Sequence, residues 1–128
     1  PVSFLNNIRE NLLTENGLVL IEVPNLYGHD SFELAHFIGF SQRSLLNLLA
    51  KTGFKLNKIK THGFPRSRIL PLYITALVSP VVSESIDLTE KFKPEHGVMI
   101  RRKLGMFFRK VMQKILPRLA WLPNERMS

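Results

Sequence analysis

Hydrophobic positions divide the chain into segments of two different periods. Phe4, Leu5, Ile8, Leu12 and Leu13 recur at helical spacing, with Asn6, Asn7, Arg9 and Glu10 on the opposite side. This predicts an amphipathic helix of about three turns, with Ser3 as its N-cap. Asn16-Gly17 is expected to end it, with Gly17 supplying a left-handed residue. From Leu18 to Val23 the side chains are almost continuously apolar, and Pro24 stops the run. Such a run reads as a strand covered on both faces, the central strand of an α/β sheet. Residues 31–38 are expected to form a short helical turn. Ser41 then caps a second helix, Arg43 to Lys51, whose buried stripe is Leu45, Leu46, Leu48 and Leu49, and Thr52-Gly53 ends it. Phe54 to Thr61 alternates apolar with polar residues, a strand exposed on one side or near an edge. Leu72 to Val78 is a third strand, closed by Pro80. The link between the last two strands carries Gly63, Pro65 and Pro71 and has no helical pattern. It is too short for a parallel crossover, so these strands are predicted to pair antiparallel. The order is helix, strand, helix, strand, strand.

Beyond residue 97 the pattern is helical again. Ile100, Leu104, Phe107, Phe108, Val111 and Ile115 recur at helical spacing, while Arg102, Lys103, Arg109, Lys110 and Lys114 lie largely on the other side. Pro117 and Pro123 end this helix. The charge changes the reading here. Residues 1–90 hold equal numbers of acidic and basic side chains, so the net +8 resides entirely in residues 91–128. The expected organisation is an α/β body over 1–80, a linker over 81–97 and a basic amphipathic helical tail over 98–128. A basic amphipathic helix with aromatic residues suits an anionic membrane surface, with Arg102, Lys103, Arg109, Lys110 and Lys114 at the phosphates. The reading placed ahead of it is an ordinary helix packed over the sheet or acting as a lid, and behind it come phosphate contact with nucleic acid and contact with a protein partner.

Composition narrows the chemistry. With no cysteine in the chain, disulfides, thiolate metal sites and cysteine nucleophiles are excluded. His29, His36, His62 and His96 lack metal-ligand spacing, so no metal is expected. No apolar run is long enough to span a bilayer and no signal peptide opens the chain, which makes a cytoplasmic location, with peripheral membrane association through the tail, the expectation. The chain starts at Pro1 rather than at an initiator methionine, as a processed product, an excised domain or an incomplete reading frame would. In open α/β sheets the ligand crevice lies beyond the carboxyl ends of the strands. The loop leaving the first strand is therefore the place to look. Asn25, Tyr27 and His29 are its candidate substrate-binding residues, against the plainer reading of a solvated, self-stabilised turn.

Several motifs in order resemble the C-terminal half of a class I S-adenosylmethionine-dependent methyltransferase of the small-molecule group. They are Pro1-Val2, Phe4-Leu5-Asn6-Asn7-Ile8, Leu13-Thr14-Glu15-Asn16-Gly17 and Ile21-Glu22-Val23-Pro24-Asn25. His36, Phe40-Ser41, Leu45-Leu46, Leu48-Leu49 and Gly53-Phe54 continue the pattern, and the resemblance spans residues 1–79. It implies a partial Rossmann-like sheet whose last two strands are antiparallel, and methyl transfer to a small-molecule, sugar, quinone or lipid-linked acceptor. It also implies His36 as an acceptor-side general base, where the plainer reading packs that ring under residues 37–40. The family's cofactor-binding half, a glycine-rich loop and an acidic residue, has no counterpart here, since no GxG occurs in the chain. S-adenosylmethionine is therefore expected for the intact parent and not for this chain alone. Without its upstream neighbour the strand at 18–23 would be an exposed apolar edge, which predicts self-association there or through the helix at 3–13. The alternative to a methyltransferase fragment is a non-enzymatic α/β scaffold whose basic tail binds membrane or nucleic acid.

Overall fold

The computed structural model describes residues 1–29, 38–81 and 94–121. Among these, two helices and three strands form the body: α1 (Val2–Asn7), β1 (Val19–Pro24), α2 (Gln42–Lys51), β2 (Phe54–His62) and β3 (Tyr73–Pro80). A long helix, α3 (Val98–Ile115), and a single turn, α4 (Pro117–Ala120), follow. The element order is the one the periodicities predict, and β2 and β3 pair antiparallel as expected. All but the last residue of the helical turn expected over 31–38, and most of the linker over 81–97, lie outside the described residues, as does Pro123.

The centre of the sheet is not where the apolar run suggests. The strand order is β1-β3-β2 and both pairings are antiparallel, so the last strand occupies the middle and β1 lies at one edge. Ile74, Ala76 and Val78 of β3 are fully buried. They pack with Leu5 of α1, Leu45 and Leu49 of α2, and Phe54, while Val19, Ile21 and Val23 of β1 border this core. Both helices thus cover one face. On the other face Leu20 is 69% exposed and Glu22 is exposed, so the expectation that β1 is covered on both sides does not hold within the described residues. Apolarity along a strand registers what side chains would prefer to meet; it does not say that the covering element is in the same chain segment.

Helix ends depart from the simple reading in α1 and follow it in α2. Ser3 lies inside α1, whose N-cap is Pro1, and a π-helical turn at Ile8–Leu12 prolongs the helix. The helix stops where Leu13 turns extended. Gly17 is not left-handed; the positive-φ glycines are Gly53 and Gly97. Gly17 instead closes a turn, its N–H donating to the Thr14 carbonyl at 2.9 Å, with the Leu13 side chain pressed where a Cβ would sit. At α2 the Ser41 hydroxyl accepts from the Ser44 N–H and the Ser44 hydroxyl from the Ser41 N–H. This reciprocal cap uses serine where glutamate is more usual. Gly53, at φ 74°, ends the helix as its position predicts.

Strand β2 resolves an inconsistency in its own pattern. Phe54 and Leu56 are two residues apart, but Leu56 and Ile59 are three apart, which strict alternation would put on opposite faces. A bulge between Leu56 and Lys58 absorbs the extra residue, so that all three border the core. Lys58, Lys60 and His62 consequently share the open face.

The core predicts a sharp contrast within α2. Leu49→Ala removes a side chain that is 1% exposed and should cost about 2–5 kcal/mol in urea unfolding. Leu46, expected in the buried stripe, is instead 36% exposed, and Leu46→Ala should change stability by less than about 1 kcal/mol. Equal effects would contradict this placement of the helix.

Candidate functional site

The loop leaving β1 is held as a rigid turn. Asn25 is buried, and its backbone N–H donates to the Leu72 carbonyl at 2.8 Å. Its side-chain amide donates to the Pro71 carbonyl at 2.7 Å and accepts from the Tyr27 N–H at 3.1 Å. The N–H groups of Gly28 and His29 both donate back to the Asn25 carbonyl. A parallel bridge between Asn25 and Phe40 ties the same turn to the entrance of α2. Gly28 runs so close to the Pro71 carbonyl that a Cβ there would overlap it.

α3 lies against the carbonyls of residues 26–28 of this turn. The Arg102 guanidinium donates to the Leu26 carbonyl, and that of Arg109 to the Gly28 carbonyl at 2.9 Å. Between them Gly105 meets the Tyr27 carbonyl so closely that any side chain would displace it. Arg102, Gly105, Arg109 and Met112 follow one another at spacings of three and four, one stripe of the helix. Arg109 is only 5% exposed. Its guanidinium also lies 4.9 Å from the centre of the Trp121 ring, and with its amide oxygen turned inward Gln113 accepts from both Trp121 Nε1 and Arg109 Nε. A buried guanidinium persists where its planar donors are met by fixed acceptors, as here.

Both ends of α3 are fastened as well. Ahead of it, Glu95 accepts from the Tyr27 hydroxyl at 2.6 Å and from the Ser41 hydroxyl, and Arg101 approaches it at 3.4 Å. Burial opposes ionisation of Glu95, but the hydrogen bonds from Ser41 and Tyr27, with Arg101 and Arg43 nearby, outweigh it and hold the carboxyl below its usual range. Burial, reinforced by the Glu95 charge, raises the Tyr27 phenol above its usual value. Behind α3, the carbonyl of Leu119 accepts from the Arg68 N–H and the Ser67 hydroxyl. Ala120 completes a second small core with Leu70 and Leu72, against which Met112 packs.

A further polar group sits on the open face of the sheet. The ring nitrogens of His62 lie 3.1 Å from the Phe64 carbonyl and 2.6 Å from the Thr75 hydroxyl, with Glu22 at 3.3 Å. The Thr75 hydroxyl donates to the same Glu22 carboxylate at 3.0 Å. The Tyr73 ring stands between two histidines, 5.9 Å from His62 and 6.3 Å from His29. His29, Tyr73, His62, Thr75 and Glu22 therefore form one surface at the carboxyl end of β1. Residue spacing did not single out His62, Glu22, Tyr73 or Thr75. Their signal is the cross-strand register, which puts Glu22 opposite Thr75 and Tyr73 opposite His62.

The predicted site residues thus fall in three places. Asn25 and Tyr27 belong to the hydrogen-bonded frame of the turn and its latch to Glu95, whereas His29 faces Tyr73. Arg102 and Arg109 are turned onto the turn, while Lys103, Lys110 and Lys114 are exposed. His36 lies outside the described residues.

The latch carries a pH dependence of definite sign. Because the native Glu95 pKa is lowered, its contribution is full at neutral pH and is lost as pH falls below the unfolded value of about 4.5 and through the native one. The raised Tyr27 pKa acts at the other end: its contribution holds below pH 10 and fades as pH rises through the native value. Fluorescence of Trp121, the sole tryptophan, should report loosening of α3 in acid. Glu95→Gln should lower stability by about 1–3 kcal/mol at pH 7 and flatten the acid limb. An unchanged acid limb would exclude Glu95 as the latch.

No protein-family model matches the chain, nor does any curated protein or any solved structure.

Proposed function

We propose that this chain is the C-terminal half of an S-adenosylmethionine-dependent methyltransferase, and that it supplies the acceptor side of the site. The observation that carries the reading is the arrangement of the body. Helix, strand, helix and two antiparallel strands follow in the order of the resemblance, and β1 lies at the sheet edge with its outer side unpaired among the described residues. That edge is where a further strand of a larger sheet would add. A second copy of the chain could use the same edge, which is the self-association the sequence leads one to expect.

The described residues do not fit the cofactor by themselves. Neither positive-φ glycine lies at the carboxyl end of β1, and Gly28 is filled against Pro71 instead of opening a cradle for a ligand. No step through S-adenosylmethionine is assigned to these residues. On the acceptor side, a small polar molecule at the carboxyl end of β1 would meet His29, Tyr73, His62, Thr75 and Glu22. This set offers two imidazoles, two hydroxyls and a carboxylate for a sugar-like or quinol-like hydroxyl. Transfer to such a group needs chiefly placement and one proton acceptor. The resemblance gives the proton-acceptor role to His36. In this reading the chain works in the cytoplasm.

Calorimetric titration of residues 1–128 with S-adenosylmethionine should give no saturable heat. The same titration on the product of the complete reading frame should give one-to-one binding, with transfer of labelled methyl to an acceptor. A complete reading frame that encodes no glycine-rich loop and does not bind the cofactor would overturn the reading and favour the scaffold alternative.

A further inference from the structure

The orientation of α3 leaves its apolar side in solvent. Ile100, Leu104 and Phe107 are 66%, 63% and 68% exposed, and Phe108 and Ile115 are exposed beside them. An amphipathic helix of a globular domain normally buries this stripe. Here the stripe that meets the body is Arg102, Gly105, Arg109 and Met112, fixed by the carbonyls of residues 26–28, and the apolar residues are left on the far side. Contiguous large apolar side chains held outward on a rigid helix mark an interaction surface. Lys103, Lys110 and Lys114 recur at spacings of seven and four along one flank of that stripe, all exposed. Between this flank and the stripe that meets the body, Met99, Arg102, Lys103, Met106, Phe107 and Lys110 line a shallow groove.

We propose that α3 docks the protein on an anionic phospholipid surface, lying in the interfacial plane with Ile100, Leu104, Phe107, Phe108 and Ile115 among the acyl chains and Lys103, Lys110 and Lys114 at the phosphates. Charge selects this occupant. The whole net charge of +8 lies in residues 91–128, so a second copy would bring the same positive tail to the interface and be repelled. Nucleic acid would satisfy the lysines and leave the apolar stripe in water. A bilayer with anionic headgroups satisfies both. Among the described residues no helix is long and apolar enough to cross a membrane, so α3 lies on the surface. Arg102 and Arg109 hold the helix to the body and take no part in the lipid contact. The inference is independent of the methyltransferase reading.

Co-sedimentation of the full chain with vesicles tests it. The protein should pellet with phosphatidylcholine vesicles containing phosphatidylglycerol and stay in the supernatant with phosphatidylcholine alone. Replacing Lys103, Lys110 and Lys114 together by Gln should weaken binding about a hundredfold. Leu104→Asp with Phe107→Asp, at exposed positions where the fold and melting temperature should be kept, should weaken it by roughly tenfold or more. Binding that survives the Asp pair would overturn the proposal, as would equal binding to both vesicle types. It would also fall if the Asp pair abolished a dimer found in sedimentation, or if the chain bound duplex DNA while ignoring the anionic vesicles.

Discussion

Three backbone carbonyls decide how the C-terminal third of this protein is used. The turn after β1 uses the Asn25 amide oxygen, the Asn25 carbonyl and the N–H groups of Tyr27, Gly28 and His29 internally and anchors the Asn25 amide N–H on Pro71, while the carbonyls of residues 26–28 meet α3. A carbonyl withdrawn from water needs a donor, and leaving one unmade costs more than making it gains. Arg102 and Arg109 supply donors to the Leu26 and Gly28 carbonyls, and Gly105 lets the helix approach the Tyr27 carbonyl. Once these contacts form, the rotation of α3 about its axis is set. Its apolar arc then has to point away from the body, whatever its hydrophobicity.

This inverts the usual relation between charge and burial. A guanidinium is buried because planar donors match fixed carbonyl and amide acceptors, and the Trp121 ring covers its face. The lysines, compact charges on flexible stems, remain in water. The distribution separates two kinds of positive charge that look alike in composition: arginines that position the helix, and lysines free to meet another surface. The Glu95 latch and the small core around Ala120 hold the two ends, so the outward face is presented by a helix fastened along its length. On the body, the open face carries the His62, Thr75 and Glu22 cluster next to the same turn. A polar surface on the sheet and an outward apolar helix meet around residues 25–29, which makes that turn the junction of both proposed activities.

Much of the body was legible beforehand because local signals and tertiary packing agree there. Ser41 caps α2, Gly53 ends it, and the short loop before β3 enforces antiparallel pairing. Where the signals are local but their partners are not, the reading fails. The apolar run of β1 looks central and covered on both faces, whereas in this chain β1 is a sheet edge, as the resemblance without its upstream strand implies, and its outer face is open. Gly17 looks like a left-handed cap and is instead a close approach to Leu13. In α3 the helical period was evident but its facing was not, since periodicity identifies the apolar arc and not the surface it meets. The glycine between Arg102 and Arg109, on their stripe, was the one available hint, because a glycine in mid-helix costs about 1 kcal/mol and implies a close neighbour. The His62 cluster was illegible for a related reason: its members come from three strands whose register only the folded sheet defines.

The facing of α3 is the claim on which the docking surface depends, and the chain's lack of cysteine makes it directly measurable. Single substitutions Leu104→Cys and Met112→Cys place a thiol on the outward and inward sides of the same helix. The thiol at 104 is expected to react with a water-soluble disulfide reagent at nearly the rate of an unstructured peptide, and the one at 112 about tenfold slower or more. Equal rates, or slower reaction at 104, would show that the apolar arc faces the body and would contradict the account.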